Sequence, residues 1–185
     1  MRITGGSLSG RIIKCPDGVI RPAMDRMRES VFAILGPFDG ASFLDLFSGS
    51  GTVAIEAVSR GAASAELVEK DRIKRQTILA NVRIAEEALN VRIRCHFMAV
   101  ELFLQRCPRA FDYIFCDPPF PYRFHQELLE VIAGRRLLTE TGRAMIHRPA
   151  EKKLAAHIGG LSLCDERVYG RSIVDFYEWE VNTHC

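Results

Sequence analysis

One segment constrains this chain more than any other: Leu44-Asp45-Leu46-Phe47-Ser48-Gly49-Ser50-Gly51-Thr52-Val53-Ala54. An apolar run carrying one acidic residue leads into two closely spaced glycines, and a helix-period stretch begins at once. That order reads as strand, tight loop, helix. Glycines at 49 and 51 let the backbone approach a ligand with no Cβ between them. A helix opening near Thr52 presents unpaired N–H groups in its first turn. Units of this kind belong to α/β sheets.

The remainder of the chain agrees. Short apolar runs occur at 42–47, 65–68, 91–97, 113–116 and 144–147, with helix-period stretches at 52–60, 71–89, 99–107 and 124–134 between them. In 71–89, Ile78, Val82, Ala85 and Leu89 fall on one stripe. Alternating strands and helices predict a mostly parallel sheet covered on both faces. The tail differs. Residues 161–169 and 173–181 are strand-like, and Gly170-Arg171-Ser172 between them suits a hairpin. At the head, Arg2-Ile3 and Arg11-Ile12-Ile13 flank a glycine-rich turn as a hairpin-like pair. A helix is expected over about 24–35, with Met27, Val31, Ile34 and Leu35 on one side and Gly36-Pro37 as its stop.

Glu69 ends the next strand, roughly twenty residues past the glycine loop, where a carboxylate can accept both hydroxyls of a ribose. Gly49-x-Gly51-x-x-Ala54 also fits the dinucleotide fingerprint. Asp45 weighs against that reading, because a carboxylate beside the loop repels a pyrophosphate. It suits the ammonium and sulfonium of S-adenosylmethionine. The bland alternatives are a capping role for Asp45 and an exposed charge run beginning at Glu69.

The second constellation is Asp117-Pro118-Pro119-Phe120, just past the strand at 113–116. Ligands of open α/β sheets bind beyond the carboxyl ends of strands. Two prolines remove two N–H donors, which leaves the Asp117 carboxylate and the Pro118 carbonyl as acceptors. Two converging acceptors can hold an exocyclic amino group and free its lone pair for attack on a methyl carbon. The role predicted for Asp117 is orientation and stabilisation of the charge that develops on nitrogen. Phe120 can stack on a base, a contact of about 1–3 kcal/mol. A base inside a helix would first be flipped out. The bland alternative is a turn, with Phe120 in the core.

These residues resemble the RsmD family of bacterial ribosomal-RNA methyltransferases. The resemblance is carried by the glycine loop, by Glu56-Ala57-Val58-Ser59-Arg60-Gly61-Ala62 and by Val68-Glu69-Lys70-Asp71. It is carried further by Arg2-Ile3-Thr4-Gly5-Gly6, by Arg21-Pro22-Ala23-Met24-Asp25-Arg26-Met27-Arg28-Glu29-Ser30-Val31-Phe32, and by the stretch ending in Asp117–Phe120. It implies a Rossmann-like sheet of seven strands with an antiparallel C-terminal hairpin. It also implies methyl transfer from S-adenosylmethionine to N2 of one guanine in small-subunit (16S) ribosomal RNA. The expected substrate is a partly assembled small subunit, with ribosomal proteins as partners. Cofactor contacts are expected at Asp45, Phe47, Ser48, Gly49, Ser50, Gly51, Glu69, Lys70, Met98, Ala99 and Asp117. Where family members carry Asp or Asn before the alanine matching Ala99, this chain has Met98, a thioether that packs on adenine but accepts its hydrogens poorly.

The organisation expected is a single domain over 1–185, with an N-terminal extension over 1–38 and a catalytic core over 39–185. Net charge is only +2, so no global attraction to nucleic acid is implied, but residues 1–30 carry an excess of cations. RNA contacts are therefore expected at Arg11, Arg21, Arg26 and, beside the clamp, Tyr122. The bland alternative for that charge is a solvated face. The six cysteines form no CxxC pair and read as small hydrophobes, with no metal site. No run of about 18 apolar residues exists to span a membrane, and the expected setting is a cytoplasmic monomer. Three rivals remain: an amino-methyltransferase of DNA adenine or cytosine, a non-catalytic RNA-binding module, and a dinucleotide oxidoreductase. The last lacks an evident hydride-relay group, since His125 reads as a solvated helix start.

Overall fold

The computed structural model describes residues 1–15 and 22–180. The chain falls into two compact units, Met1–Val100 and Glu101–Cys185. In the first, an antiparallel bridge between Arg2 and Ile12 encloses a 3-10 turn at Gly6–Leu8. Then come helix α1 (Pro22–Leu35), strand β1 (Ser42–Leu46), helix α2 (Thr52–Ser59), strand β2 (Ser64–Val68), a 3-10 turn at Arg72–Lys74, helix α3 (Arg75–Leu89) and strand β3 (Ile93–His96). The second carries helix α4 (Val100–Arg106), strand β4 (Phe111–Cys116), helix α5 (His125–Gly134) and strands β5 (Leu138–Pro149), β6 (His157–Ile158), β7 (Leu161–Tyr169) and β8 (Ser172–Trp179).

The first unit's strands lie in the order β3-β2-β1, all parallel. β1 and β2 read as nearly continuous apolar runs because both faces are covered: Phe43, Leu44, Leu46, Leu67 and Val68 are fully buried. Helix α1 opens with proline at its first position, where the missing N–H costs nothing. It ends before Gly36, whose φ of +78° supplies the left-handed exit. Its Phe32 packs 5.2 Å from Phe38 and 5.9 Å from Phe43 of β1 (ring centroids), so α1 is anchored on the sheet. In α3 the predicted stripe is buried at Ile78, Val82 and Ala85 and half-buried at Leu89.

The second unit orders its strands β4-β5-β8-β7-β6. β4 and β5 are parallel, while β5–β8, β8–β7 and β7–β6 are antiparallel. The predicted hairpin is β7–β8, turned by Gly170. Eight strands, not seven, are present among the described residues. The extra one, β6, has two residues, too few for any period to register. β5 begins six residues before the apolar run that announced it. Its first half, Leu138–Gly142, crosses a register shift opposite Phe111–Tyr113. At Gly142 a Cβ would stand 2.8 Å from the Asp112 carbonyl oxygen, so the irregular stretch requires glycine.

Candidate active site

In the first unit the site begins where β1 stops. Phe47 and Gly49 have φ of +64° and +60°, and Gly51 has +78°. Phe47 is the unusual one, since an L-residue there costs on the order of 1–3 kcal/mol and such strain concentrates at ligand sites. The turn is fixed by the Ser48 N–H donating to Val68 O (3.0 Å) and the Gly51 N–H to Ser48 O (2.9 Å). A Cβ at Gly51 would crowd Leu67, whereas one at Gly49 would project into open space. At 49 it is the left-handed φ, not internal packing, that calls for glycine, and the face beside it is open. The Ser48 hydroxyl is buried with no hydrogen-bond partner among the described residues. Ser50 and Thr52 pair their hydroxyls at 2.5 Å.

Glu69 stands just past β2, only 6% exposed, so the exposed-run alternative does not describe it. One carboxylate oxygen accepts the Gly49 N–H at 3.0 Å and faces Lys74 Nζ at 3.3 Å; the other accepts the Asp71 N–H at 2.8 Å. The first oxygen already takes two donors, while the second takes one and keeps acceptor capacity for a hydroxyl. The cation beside it is Lys74, while Lys70 is exposed. Asp45 is buried within β1 and accepts the Ala54 N–H at 3.2 Å. It therefore does cap the first turn of α2, as the bland reading held, and one acceptor is enough for that. Met98 and Ala99 lie half-buried just past β3. An orphaned hydroxyl, an open glycine face and a buried carboxylate at the ribose position together fit S-adenosylmethionine.

Asn81 went unnoticed in the sequence. Fully buried on α3, it donates to Ser50 O at 3.0 Å and exchanges two hydrogen bonds with the backbone of Lys14. It thereby ties the glycine loop to the N-terminal segment. Glu56, 0% exposed on α2, does the same for the head. It accepts from Arg28 Nε at 2.6 Å, from Arg60 at 2.8 Å and from the backbone and hydroxyl of Thr4. A glutamate within the apolar run 54–58 was the available signal. Arg28, one of the cations of residues 1–30 for which a solvated face is the bland alternative, is 3% exposed and belongs to this cluster. Arg11 and Arg26 are exposed; Arg21 lies outside the described residues.

In the second unit the clamp follows β4. Asp117 has a side chain 20% exposed. Pro118 is buried, Pro119 exposed, and Phe120 is 50% exposed, so Phe120 is not core. The Pro119 carbonyl accepts the Tyr122 N–H at 2.8 Å, which leaves the Pro118 carbonyl as the acceptor nearer Asp117 in sequence. Tyr122 is half-buried and donates its hydroxyl to Glu101 at 2.7 Å. Burial and that carboxylate push its phenol up, so it stays protonated. Phe124, 57% exposed, meets the Tyr122 ring edge-on at 5.8 Å. His125 is not solvated. It is 1% exposed, and burial foremost, then the charges of Lys152, His147 and Arg148, lower its pKa to about 4. His147, which sequence reasoning passed over as strand, places Nδ1 at 2.7 Å from Asp117 Oδ1. Of the cysteines, Cys107 and Cys116 are buried as expected, but Cys164 is exposed.

The family described as conserved hypothetical protein 95 matches residues 1–178. Over 97% of its length the chain is 31% identical to ribosomal RNA small subunit methyltransferase D of Escherichia coli (strain K12), covering 90% of that protein. It is 33% identical to YlbH of Bacillus subtilis (strain 168), with 96% of this chain matching 98% of that one. The solved structure of yhhF from Escherichia coli superposes with a TM-score of 0.86 at 31% identity, over 97% of this chain and 98% of the other. The fold is the Rossmann-like methyltransferase sheet, and the chain belongs to the RsmD family of ribosomal-RNA methyltransferases.

Proposed function

We propose that this protein transfers a methyl group from S-adenosylmethionine to the exocyclic N2 of a guanine in small-subunit (16S) ribosomal RNA. Asp45, Phe47–Gly51, Glu69, Lys70, Met98 and Ala99 hold the cofactor in this reading, with Glu69 on the ribose. When bound, the cofactor supplies a methyl carbon whose bond to sulfur breaks, leaving its electron pair on sulfur, as N2 forms the new bond. Asp117 Oδ2 and the Pro118 carbonyl accept the two amino hydrogens and hold the N2 lone pair in line. Asp117 stabilises the positive charge that N2 acquires, and one proton then leaves N2 for Asp117 or water. Phe120 stacks on the base. Arg11, Arg21, Arg26 and Tyr122 contact the RNA.

The observation that carries this reading is the Asp117 carboxylate at the end of β4, partly open and followed by buried Pro118 and half-exposed Phe120. The near full-length likeness to ribosomal RNA small subunit methyltransferase D of Escherichia coli supports RNA over DNA as the substrate. We place the protein in the cytoplasm as a monomer. It acts as one methyltransferase domain on a partly assembled subunit whose ribosomal proteins contribute contacts. The test is incubation with labelled S-adenosylmethionine and small subunits from cells lacking the protein, followed by mapping of the modified base. Label in N2-methylguanosine at one site of 16S RNA is expected. Label in DNA adenine or cytosine would favour the rival enzyme, and absence of transfer the non-catalytic module.

A further inference from the structure

Asp117 has a partner that the reaction above does not by itself demand. β4 and β5 run parallel with Cys116 opposite Ile146. The next residue on each, Asp117 and His147, stand side by side, with Nδ1 and Oδ1 2.7 Å apart. An ionised carboxylate only accepts hydrogen bonds, so Nδ1 carries the hydrogen. The ring's other end is closed off: Nε2 is buried and has no partner among the described residues. Beside it His125 is buried with its own Nδ1 unpartnered. Among the described residues the His147 ring thus has one hydrogen bond, and it goes to Asp117.

We propose that His147 is a positioning residue for methyl transfer, pinning Oδ1 of Asp117 so that Oδ2 is directed at the amino group of the substrate base. The terminal torsion of an aspartate is broad and roughly two-fold. A free carboxylate would spread over orientations of which few align the acceptor, and misplacement of about 1 Å can cost a hundredfold in rate. The hydrogen bond selects one orientation before substrate arrives. His147 acts through Asp117 and does not touch the reacting atoms.

The proposal rests on the reading that Asp117 receives the amino group, and the test separates the two. Full-length His147→Asn, His147→Gln and Asp117→Asn are compared for methyl transfer to small-subunit RNA at saturating cofactor. Cofactor affinity and Tm are measured alongside. Asparagine places an N–H where Nδ1 stands; glutamine places it where Nε2 stands. His147→Asn is expected to keep kcat within a few-fold. His147→Gln should lose roughly ten- to a hundredfold in kcat, with cofactor affinity and Tm unchanged. His147→Ala replaces His147→Gln in the comparison should that variant fail to fold. Wild-type kcat in His147→Gln, or equal losses in both His147 variants that track Tm, would overturn the positioning role. Full turnover by Asp117→Asn would overturn the clamp itself, and with it this proposal.

Discussion

Replacing Glu56 with glutamine changes almost no volume but removes the countercharge from a buried arginine. Arg28 is 3% exposed, Glu56 0%, and they meet at 2.6 Å. The glutamine amide would also turn one N–H toward donors, since Thr4 N–H, Arg28 and Arg60 all point at this carboxylate. Removing one partner of a buried pair costs about 3–5 kcal/mol. The low end applies here, because Asp25 still faces Arg28 at 3.0 Å from a half-exposed position. A loss of about 3 kcal/mol lowers Tm by about 6–12 °C for a chain of this size. The assay is thermal unfolding followed by circular dichroism, with Arg83→Ala as the control. Arg83 pairs with Glu87 at 2.7 Å on an open surface, and its removal should leave Tm unmoved. Arg28→Met combined with Glu56→Gln should cost less than the sum of the single changes, because no charge is then stranded. A Glu56→Gln Tm within a degree of wild type would refute the idea that this carboxylate fastens the N-terminal segment.

Three more outcomes are expected. His125 takes a proton near pH 6.5 when unfolded but only near about 4 in the fold. The unfolded state binds more protons between those values, so stability falls as pH drops through that window, by about 2 kcal/mol between pH 7.5 and 5. Urea unfolding should show that slope reduced in His125→Gln; an identical slope would mean the imidazole is not held neutral. Glu69→Ala should weaken S-adenosylmethionine about tenfold or more by calorimetry, the loss of a buried charged acceptor to the ribose, and unchanged affinity would remove it from the cofactor site. Neutralising Arg11 and Arg26 should lower RNA affinity and reduce the slope of log K against log salt by about one unit per lost phosphate contact. An unaltered slope would return both to the solvated face.

What the sequence made legible follows from how locally each feature is specified. The glycine loop needs φ values that only its own residues can announce, and positions 49 and 51 announce them. The α3 stripe and the β7–β8 hairpin likewise carry their own period and turn. The long first half of β5 does not, because Thr139, Glu140 and Thr141 are polar or exposed and fall in a register shift between Leu138 and Arg143. β6 is held by its partner strand, not by its composition. At the site, Glu69 and Asp117 were visible because strand ends bear function in such sheets. Lys74, Asn81 and His147 were not, because each acts through a side chain brought close by packing. His125 and Arg28 were misread for one reason: a polar residue looks solvated until its partners or its burial are known.

The central claim is that Asp117 serves the methyl acceptor far more than it serves cofactor affinity. Asp117→Ala separates the two most directly, with S-adenosylmethionine affinity measured by calorimetry and methyl transfer to 16S RNA measured on the same preparation. The account predicts affinity within a few-fold of wild type and methyl transfer reduced to background. Transfer at the wild-type rate would contradict it.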